Sequence, residues 1–275
     1  MKKGSLTTIL LILILLIGLS LLLYPTVSNY VNEKNSTKAI ANYTDAVAEM
    51  KEEDFSSIWQ SAWEYNASLL LRSNKYLLTE EQAERYPNEL NIGGHGIMCH
   101  IEIPSLQVKI PIYHGTSEDV LQVAVGHIEW SSLPVGGESS HCVVSGHRGL
   151  PSAKLFTDLD EVVVGDVFML HTLGETLTYQ VDQILIVEPH ETQALMVEEG
   201  KDYCTLVTCT PYGVNTHRLL VRGTRVETPE EIRQVYVTAD AVRIEPTVVA
   251  PVVAAPMLLV LFVLVMLKPS KPRKK

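Results

Sequence analysis

The chain has 275 residues, 46% hydrophobic and 20% charged, with a formal net charge of -10. The apolar excess sits in two charge-free runs, residues 5–24 and 247–267, each long enough to cross a hydrocarbon core of about 30 Å as a helix. A soluble cytoplasmic protein, a collagen-like fibre and a disordered chain are excluded by that distribution.

All 32 acidic residues lie between the two runs, whereas Lys2, Lys3, Lys268, Lys271, Arg273, Lys274 and Lys275 lie outside them. Only 15 of the 22 basic residues remain in the middle, which therefore carries a net of -17. Binding to duplex DNA or RNA needs a basic footprint, so a nucleic-acid partner is excluded. Basic residues on the outer flank of each run place both termini in the cytoplasm and the acidic middle outside the cell membrane. The first run is read as a retained anchor, because its apolar stretch exceeds the ~7–15 residues of a signal-peptide core. The second contains Pro251 and Pro256, which membrane helices tolerate.

The domain organisation that follows is an anchor with a short cytoplasmic start over 1–24, a helical region over 25–89, a strand-rich barrel over 90–228, a juxtamembrane linker over 229–246, a second span over 247–267 and a basic tail over 268–275. In the helical region, Ile40, Val47 and Met50 mark one apolar stripe, and Phe55, Ile58, Ala62 and Leu69 a second. Pro87 and Gly93-Gly94 end that pattern. Short strands follow: alternation at Ile97, Cys99, Ile101 and Ile103, then 108–113, 142–145, 167–172, 176–187, 203–209 and 219–225. Ser117 with Glu118 and Asp119 reads as a helix start. Residues 167–187 form a hairpin across Leu173-Gly174-Glu175, with a bulge near Asp182 where the apolar phase shifts. Many short strands at near-regular spacing predict a mainly β fold, a closed or nearly closed antiparallel-rich barrel with short helices.

Four cysteines do not make a disulfide scaffold, and neither Cys-x-x-Cys nor His-Glu-x-x-His occurs. Cys99-His100 and His141-Cys142 are adjacent pairs, which point to opposite faces of a strand and do not make a zinc site. Asn35, Asn42 and Asn66 head Asn-x-Ser/Thr triplets. No metal or organic cofactor is implied.

The chemistry concentrates at Thr205-Leu206-Val207-Thr208-Cys209-Thr210-Pro211-Tyr212-Gly213, a strand running into a turn. A cysteine there is held on rigid backbone and stays reachable, as a thiolate nucleophile must be; a free cysteine is also often just a small buried hydrophobe. Ser145-Gly146-His147-Arg148-Gly149 ends a second strand in a histidine able to protonate a leaving amine. Arg218, nine residues after Cys209, starts the next strand, from which its fork of donors can steady an oxyanion or a substrate carbonyl.

Together these residues resemble the sortase family of cysteine transpeptidases. The Thr-Leu-x-Thr-Cys motif at 205–209 and Arg218 carry the resemblance, and the stretches Ile101–Pro104, 111–117, 132–137, 145–151 and 171–175 look like the class C, pilin-polymerising branch. The resemblance implies that Cys209 is the nucleophile, His147 the general acid/base and Arg218 the stabiliser of the oxyanion or substrate. It implies as partners an LPxTG-like sorting signal, cleaved between Thr and Gly through a thioacyl enzyme, and a pilin lysine amine that resolves it. Thr208 and Trp130 are further candidates for substrate contact. Since the family resemblance makes the His147 and Cys209 strands parallel neighbours, Cys142 and Cys204, each five residues earlier, should lie side by side as thiols.

One feature departs from the class C pattern. No Asp-Pro-aromatic motif, which in that branch covers the cysteine as a lid, occurs here; in the stretch 78–91 only Tyr86-Pro87 offers an aromatic. The expectation is an open or weakly covered Cys209, with residues 79–88 mobile or packed away from the cleft. Two nearby readings are a sortase that anchors proteins to peptidoglycan amines and a Cys-His protease that releases a free acid. A reading of another class is a non-catalytic surface adhesin or assembly scaffold.

Overall fold

The computed structural model describes residues 3–228. The expected linker 229–246, second span 247–267 and basic tail 268–275 lie outside the described residues. The chain divides into two compact units, one holding residues up to Ser28 and the other beginning at Asn29.

Helix α1 spans Lys3–Ala48 and contains Pro25. Its stretch Leu10–Ala48 is long and apolar enough to cross a membrane. The sequence reading separated an anchor ending at 24 from a following helix, but here they are one helical run, since a single proline removes one hydrogen-bond donor without forcing a break. Further along α1, Ile40 and Tyr43 are buried and Val47 packs against the core. The Tyr43 hydroxyl donates to the Met98 carbonyl at 3.0 Å and accepts the Leu173 N–H at 2.9 Å, fastening the helix to one strand of the barrel and to the turn of a hairpin. Burial raises the Tyr43 hydroxyl well above the usual phenol range.

Helix α2, Glu52–Leu70, opens on three acidic residues that complement the positive end of its dipole. Its buried stripe is Trp59, Ala62, Tyr65, Asn66 and Leu69, the 3.6-residue spacing of one helix face. Asn66 is inside that stripe because its amide exchanges two hydrogen bonds with the Leu133 backbone, at 2.7 and 3.3 Å. It is therefore not exposed, although it heads an Asn-x-Ser triplet. Helix α3, Glu80–Arg85, begins at a reciprocal capping box between Thr79 and Gln82. Helix α4 is the short turn Glu118–Leu121 after Ser117.

Eight strands follow: β1 Ile97–Ile103, β2 Val108–His114, β3 Val125–His127, β4 Ser140–Ser145, β5 Val167–Thr172, β6 Glu175–Val187, β7 Asp202–Thr210 and β8 His217–Val226. They close into a barrel in the order β1-β2-β3-β4-β7-β8-β6-β5. The pairs β2/β3 and β4/β7 are parallel and the rest antiparallel. The expected mainly β barrel with short helices is what the chain forms. Strand β3 escaped the sequence reading because three residues are too few to display an alternation. The hairpin turns on Leu173 and Gly174, both at positive φ, and the bulge falls between Val181 and Gln183.

Inside the barrel, Cys99, Ile101, Val144, Leu170, Tyr179 and Leu206 are fully buried. Cys142 and Cys204 are register partners on β4 and β7, and both are free thiols. The expectation that they lie side by side without a disulfide is met. Burial, with Cys204 beside it, holds the Cys142 thiol well above its ordinary range, so it stays neutral.

The core also contains imidazoles. His127 is fully buried, with Nδ1 2.9 Å from the Tyr86 hydroxyl and Nε2 2.8 Å from the Ser132 carbonyl. Burial pushes it down to about 4. His100 is stacked on His171 at 4.5 Å and burial pushes it down to about 2. The unfolded chain takes up these protons near pH 6.5 and the folded chain only at far lower pH. Stability is therefore complete above about pH 6.5 and declines as pH falls toward 4, each such histidine adding up to ~1.4 kcal/mol per pH unit to the slope. Urea unfolding of the detergent-solubilised chain between pH 7 and 4 checks this; a stability that does not fall in that interval refutes it.

Candidate active site

Cys209 is the penultimate residue of β7 and is half-buried. Along β7, Cys204, Leu206 and Thr208 face the barrel interior at 0–1% exposure, which puts Thr205, Val207 and Cys209 on the opposite face. On the antiparallel neighbour β8, Arg218 is the register partner of Cys209. Cross-strand partners put their side chains on one face with Cβ atoms about 5 Å apart. Arg218 Nη1 donates to the carbonyls of Asn215 and His217, at 3.3 and 3.1 Å, which aims the guanidinium from its own turn.

On the other side of β7 runs β4, parallel and in register through Ser145 with Val207. The chain then continues two residues past the end of β4 to His147 and two along β7 to Cys209, so the half-buried imidazole and the half-buried thiol lie toward the same end of the barrel. Cys209 and Arg218 thus come from two paired strands, and His147 from the loop that directly follows a third. Sequence separations of 62 and nine residues become neighbours through two ladders.

The His147 loop is held by backbone. Gly146 N–H donates to the Val207 carbonyl at 3.0 Å, and Phe156 N–H donates to the His147 carbonyl at 3.2 Å. Thr208, 1% exposed, donates its hydroxyl to the Gly146 carbonyl at 2.8 Å. Its side chain therefore ties the two strand ends together from the interior, a job the sequence did not reveal. Gly146 sits under the Phe156 ring, where a Cβ would come within 2.7 Å of the ring carbon.

The face that carries Cys209 continues into an apolar cluster of Val143, Leu195, Val207 and Leu220, with Trp130 and Ile128 packed on it. A groove of about 940 Å³ opens beside it, lined by Trp130, His141, Leu195, Met196, Tyr76 and Arg72 among others. His141 forms part of the floor, bonded to the Thr205 hydroxyl at 2.7 Å and to the Met196 carbonyl at 2.9 Å. Burial lowers its pKa and keeps it neutral. Thr205 lies four residues before Cys209, about 13 Å along a strand. Cys209, His147 and Arg218 are not among the residues that line the groove.

The stretch 79–88 is packed away from this groove, one of the two outcomes expected for it. Tyr86, the one aromatic the sequence offered as a cover, is instead 4% exposed in the core, its hydroxyl bonded to His127 and to the Gly115 N–H. The segment beside the groove comes earlier. Tyr76 meets Trp130 edge-on at 5.5 Å, and Arg72 pins the loop by donating to the carbonyls of Leu69, Leu77 and Trp130 at 3.1, 3.1 and 2.8 Å. An isolated Arg and Tyr in a loop carry no periodic signal, so this placement was not legible in the sequence.

Comparison with known proteins agrees with this architecture. The family model described as the sortase domain matches residues 101–226. A crystal structure of sortase C1 from Streptococcus agalactiae is 52% identical, with a TM-score of 0.68, covering 70% of this chain and 100% of that one. Sortase C of Streptococcus pneumoniae is 42% identical, with a TM-score of 0.63, covering 70% of this chain and 97% of that one. Sortase D of Bacillus subtilis is 31% identical over 129 residues, 46% of this chain; the chain spans 62% of that protein.

Gly146→Ala tests the backbone support. The added methyl meets Phe156 at 2.7 Å, so the loop must move. Overpacking of this kind costs about 1–3 kcal/mol. Loss of thiol-dependent turnover well beyond the loss of folded protein is the expected result, read by activity and melting temperature on the same preparation. Unchanged turnover would show that the loop position is not set here.

Proposed function

As the chain belongs to the sortase family, we propose that it is a membrane-anchored cysteine transpeptidase that cleaves an LPxTG-like sorting signal between Thr and Gly and joins the acyl group to a pilin lysine. The observation that carries this reading is the convergence of Cys209, Arg218 and His147 at one end of three adjacent strands. The Cys209 thiolate attacks the Thr carbonyl carbon, and Arg218 steadies the charge that develops on its oxygen. The C–N bond then breaks, His147 gives a proton to the departing Gly amine, and a thioester remains on Cys209. A lysine ε-amine attacks that thioester, His147 takes up the amine proton, and the new amide leaves with Cys209 restored.

A pilin acceptor, in preference to a wall amine, is supported by the likeness to the pneumococcal sortase C, whose structure is described in terms of pilin substrate specificity. Membrane attachment is supported by the helix within Leu10–Ala48. With the basic flanks of both apolar runs, it leads to a topology with both termini cytoplasmic and the barrel outside.

Mass spectrometry of the full chain incubated with sorting peptides and amines tests the reaction. The expected species is a thioacyl adduct on Cys209 that transfers to a lysine-bearing pilin peptide. Transfer only to peptidoglycan-type amines would identify a wall-anchoring enzyme, and release of free acid alone a protease. A folded Cys209→Ala chain should form no adduct, and Arg218→Lys should be severely impaired because a point charge does not reproduce a planar fork. An adduct on Cys209→Ala would overturn the assignment, and adhesion without any adduct on the wild type would favour a scaffold. For topology, tags at either terminus should resist protease added to intact protoplasts; digestion of either one refutes the two-anchor arrangement.

A further inference from the structure

Arg148 follows His147 directly, yet its side chain is only 9% exposed. Burying a guanidinium is costly unless its donors are used for something. Here one arm, Nη2, is paired with the Asp160 carboxylate. The other, Nη1, makes a long 3.4 Å contact to the hydroxyl of Thr210, the residue after Cys209. The guanidinium carbon stands 5.9 Å from the centre of the Tyr212 ring. Nε is buried with no hydrogen-bond partner among the described residues. One side chain thus spans the residue after the imidazole, the residue after the thiol, and the 3-10 turn Leu159–Glu161 that carries Asp160.

A second contact runs in the same direction. Gly149 has φ +77°, and a Cβ there would come within 2.8 Å of the Tyr212 ring. Its N–H donates to the Thr157 hydroxyl at 3.1 Å. Tyr212 belongs to the turn that leads from Cys209 to Arg218. The loops bearing all three candidate catalytic residues are therefore pressed together around Arg148 and Gly149.

We propose that Arg148 is a positioning residue, a buried clamp that sets the separation of the His147 imidazole from the Cys209 thiol by bridging Asp160 and Thr210. The proposal rests on the reading of Cys209 and His147 as the reacting pair. The ties between the two strand ends stop at Gly146, bonded to Val207 and Thr208, one residue short of His147, so the spacing of the imidazole from the thiol is left to side-chain contacts further along the loop. A planar fork reaches two partners at fixed angles; a lysine reaches one as a point charge. Since proton transfer to the leaving amine needs hydrogen-bond distance, loosening the clamp acts on the chemical step more than on peptide binding.

The test uses the full-length chain in detergent, with Arg148→Lys, Asp160→Asn and Thr210→Val. Each is assayed for turnover of a sorting peptide, for the pH profile of Cys209 alkylation by iodoacetamide, and for melting temperature. Arg148→Lys is expected to lower kcat about tenfold or more with KM within about twofold, and to shift the midpoint of the alkylation profile. Asp160→Asn and Thr210→Val should move both in the same direction by less. Should Arg148→Lys fail to fold, Asp160→Asn decides, because Asp160 is half-exposed. Wild-type kcat and alkylation profile in the folded variants, even with lowered melting temperatures, would make Arg148 merely structural and overturn the proposal. If the wild-type chain turns over no sorting peptide, the function reading fails while the alkylation profiles still decide for or against the clamp. If His147→Ala leaves the alkylation profile unchanged, the reacting pair is misassigned and both fail.

Discussion

The parallel pairing of β4 with β7 is the constraint on which the site depends. Its register runs from Ser140 with Asp202 to Ser145 with Val207 without a shift. A slip of one residue would turn every side chain of β7 to the other face. Cys209 would then enter the barrel and Cys142 would lose Cys204. Parallel strands of this kind need a long connection, and here it includes the β5–β6 hairpin and the loop 188–201, which contains the 3-10 turn Gln193–Leu195. That loop returns as a wall of the groove, anchored where Met196 meets His141. One pairing thus places the reacting groups and brings in the wall beside them.

Support for the reacting groups comes from contacts that bury little charge. Interior hydroxyls and backbone amides do most of it: Thr208 to Gly146, Gly146 to Val207, Phe156 to His147. Such bonds contribute about 1 kcal/mol each in net stability but fix direction strongly in a buried setting. Arg148 stands out because it is a cation placed in the same layer. The opposite end of the barrel has its own polar fastening, where Asp202 accepts from the Tyr179 hydroxyl at 3.0 Å and from the Gly137 N–H at 2.9 Å. Burial raises the Asp202 pKa, opposed by those bonds and by Arg225.

The helices are part of the same unit from Asn29 onward. Tyr43 of α1 bonds to Met98 and Leu173, and Asn66 of α2 bonds to Leu133, so each helix grips the barrel through one buried polar group set in an apolar stripe. The loop after α2 then reaches the groove through Arg72 and Tyr76. The helical region thus contributes part of the wall of the groove.

Much of this was determined locally. Alternation along β1, the β5–β6 hairpin with its bulge, the apolar stripe of α2 and the turn after Cys209 follow from spacing and turn chemistry within a few residues, and the sequence by itself displays them. The places of Cys209 and Arg218 at strand ends, and of His147 just past one, were legible for the same reason, and the family resemblance made them candidates. Tertiary structure alone decided what lies between elements. It made β3 a strand by pairing three residues with β2 and β4, put Tyr86 in the core against His127, turned Thr208 inward as a tie between strand ends, and brought Arg72 and Tyr76 to Trp130. Those outcomes depend on contacts between residues up to 62 positions apart. Periodicity reports which face of an element is apolar, but not which other element will cover it.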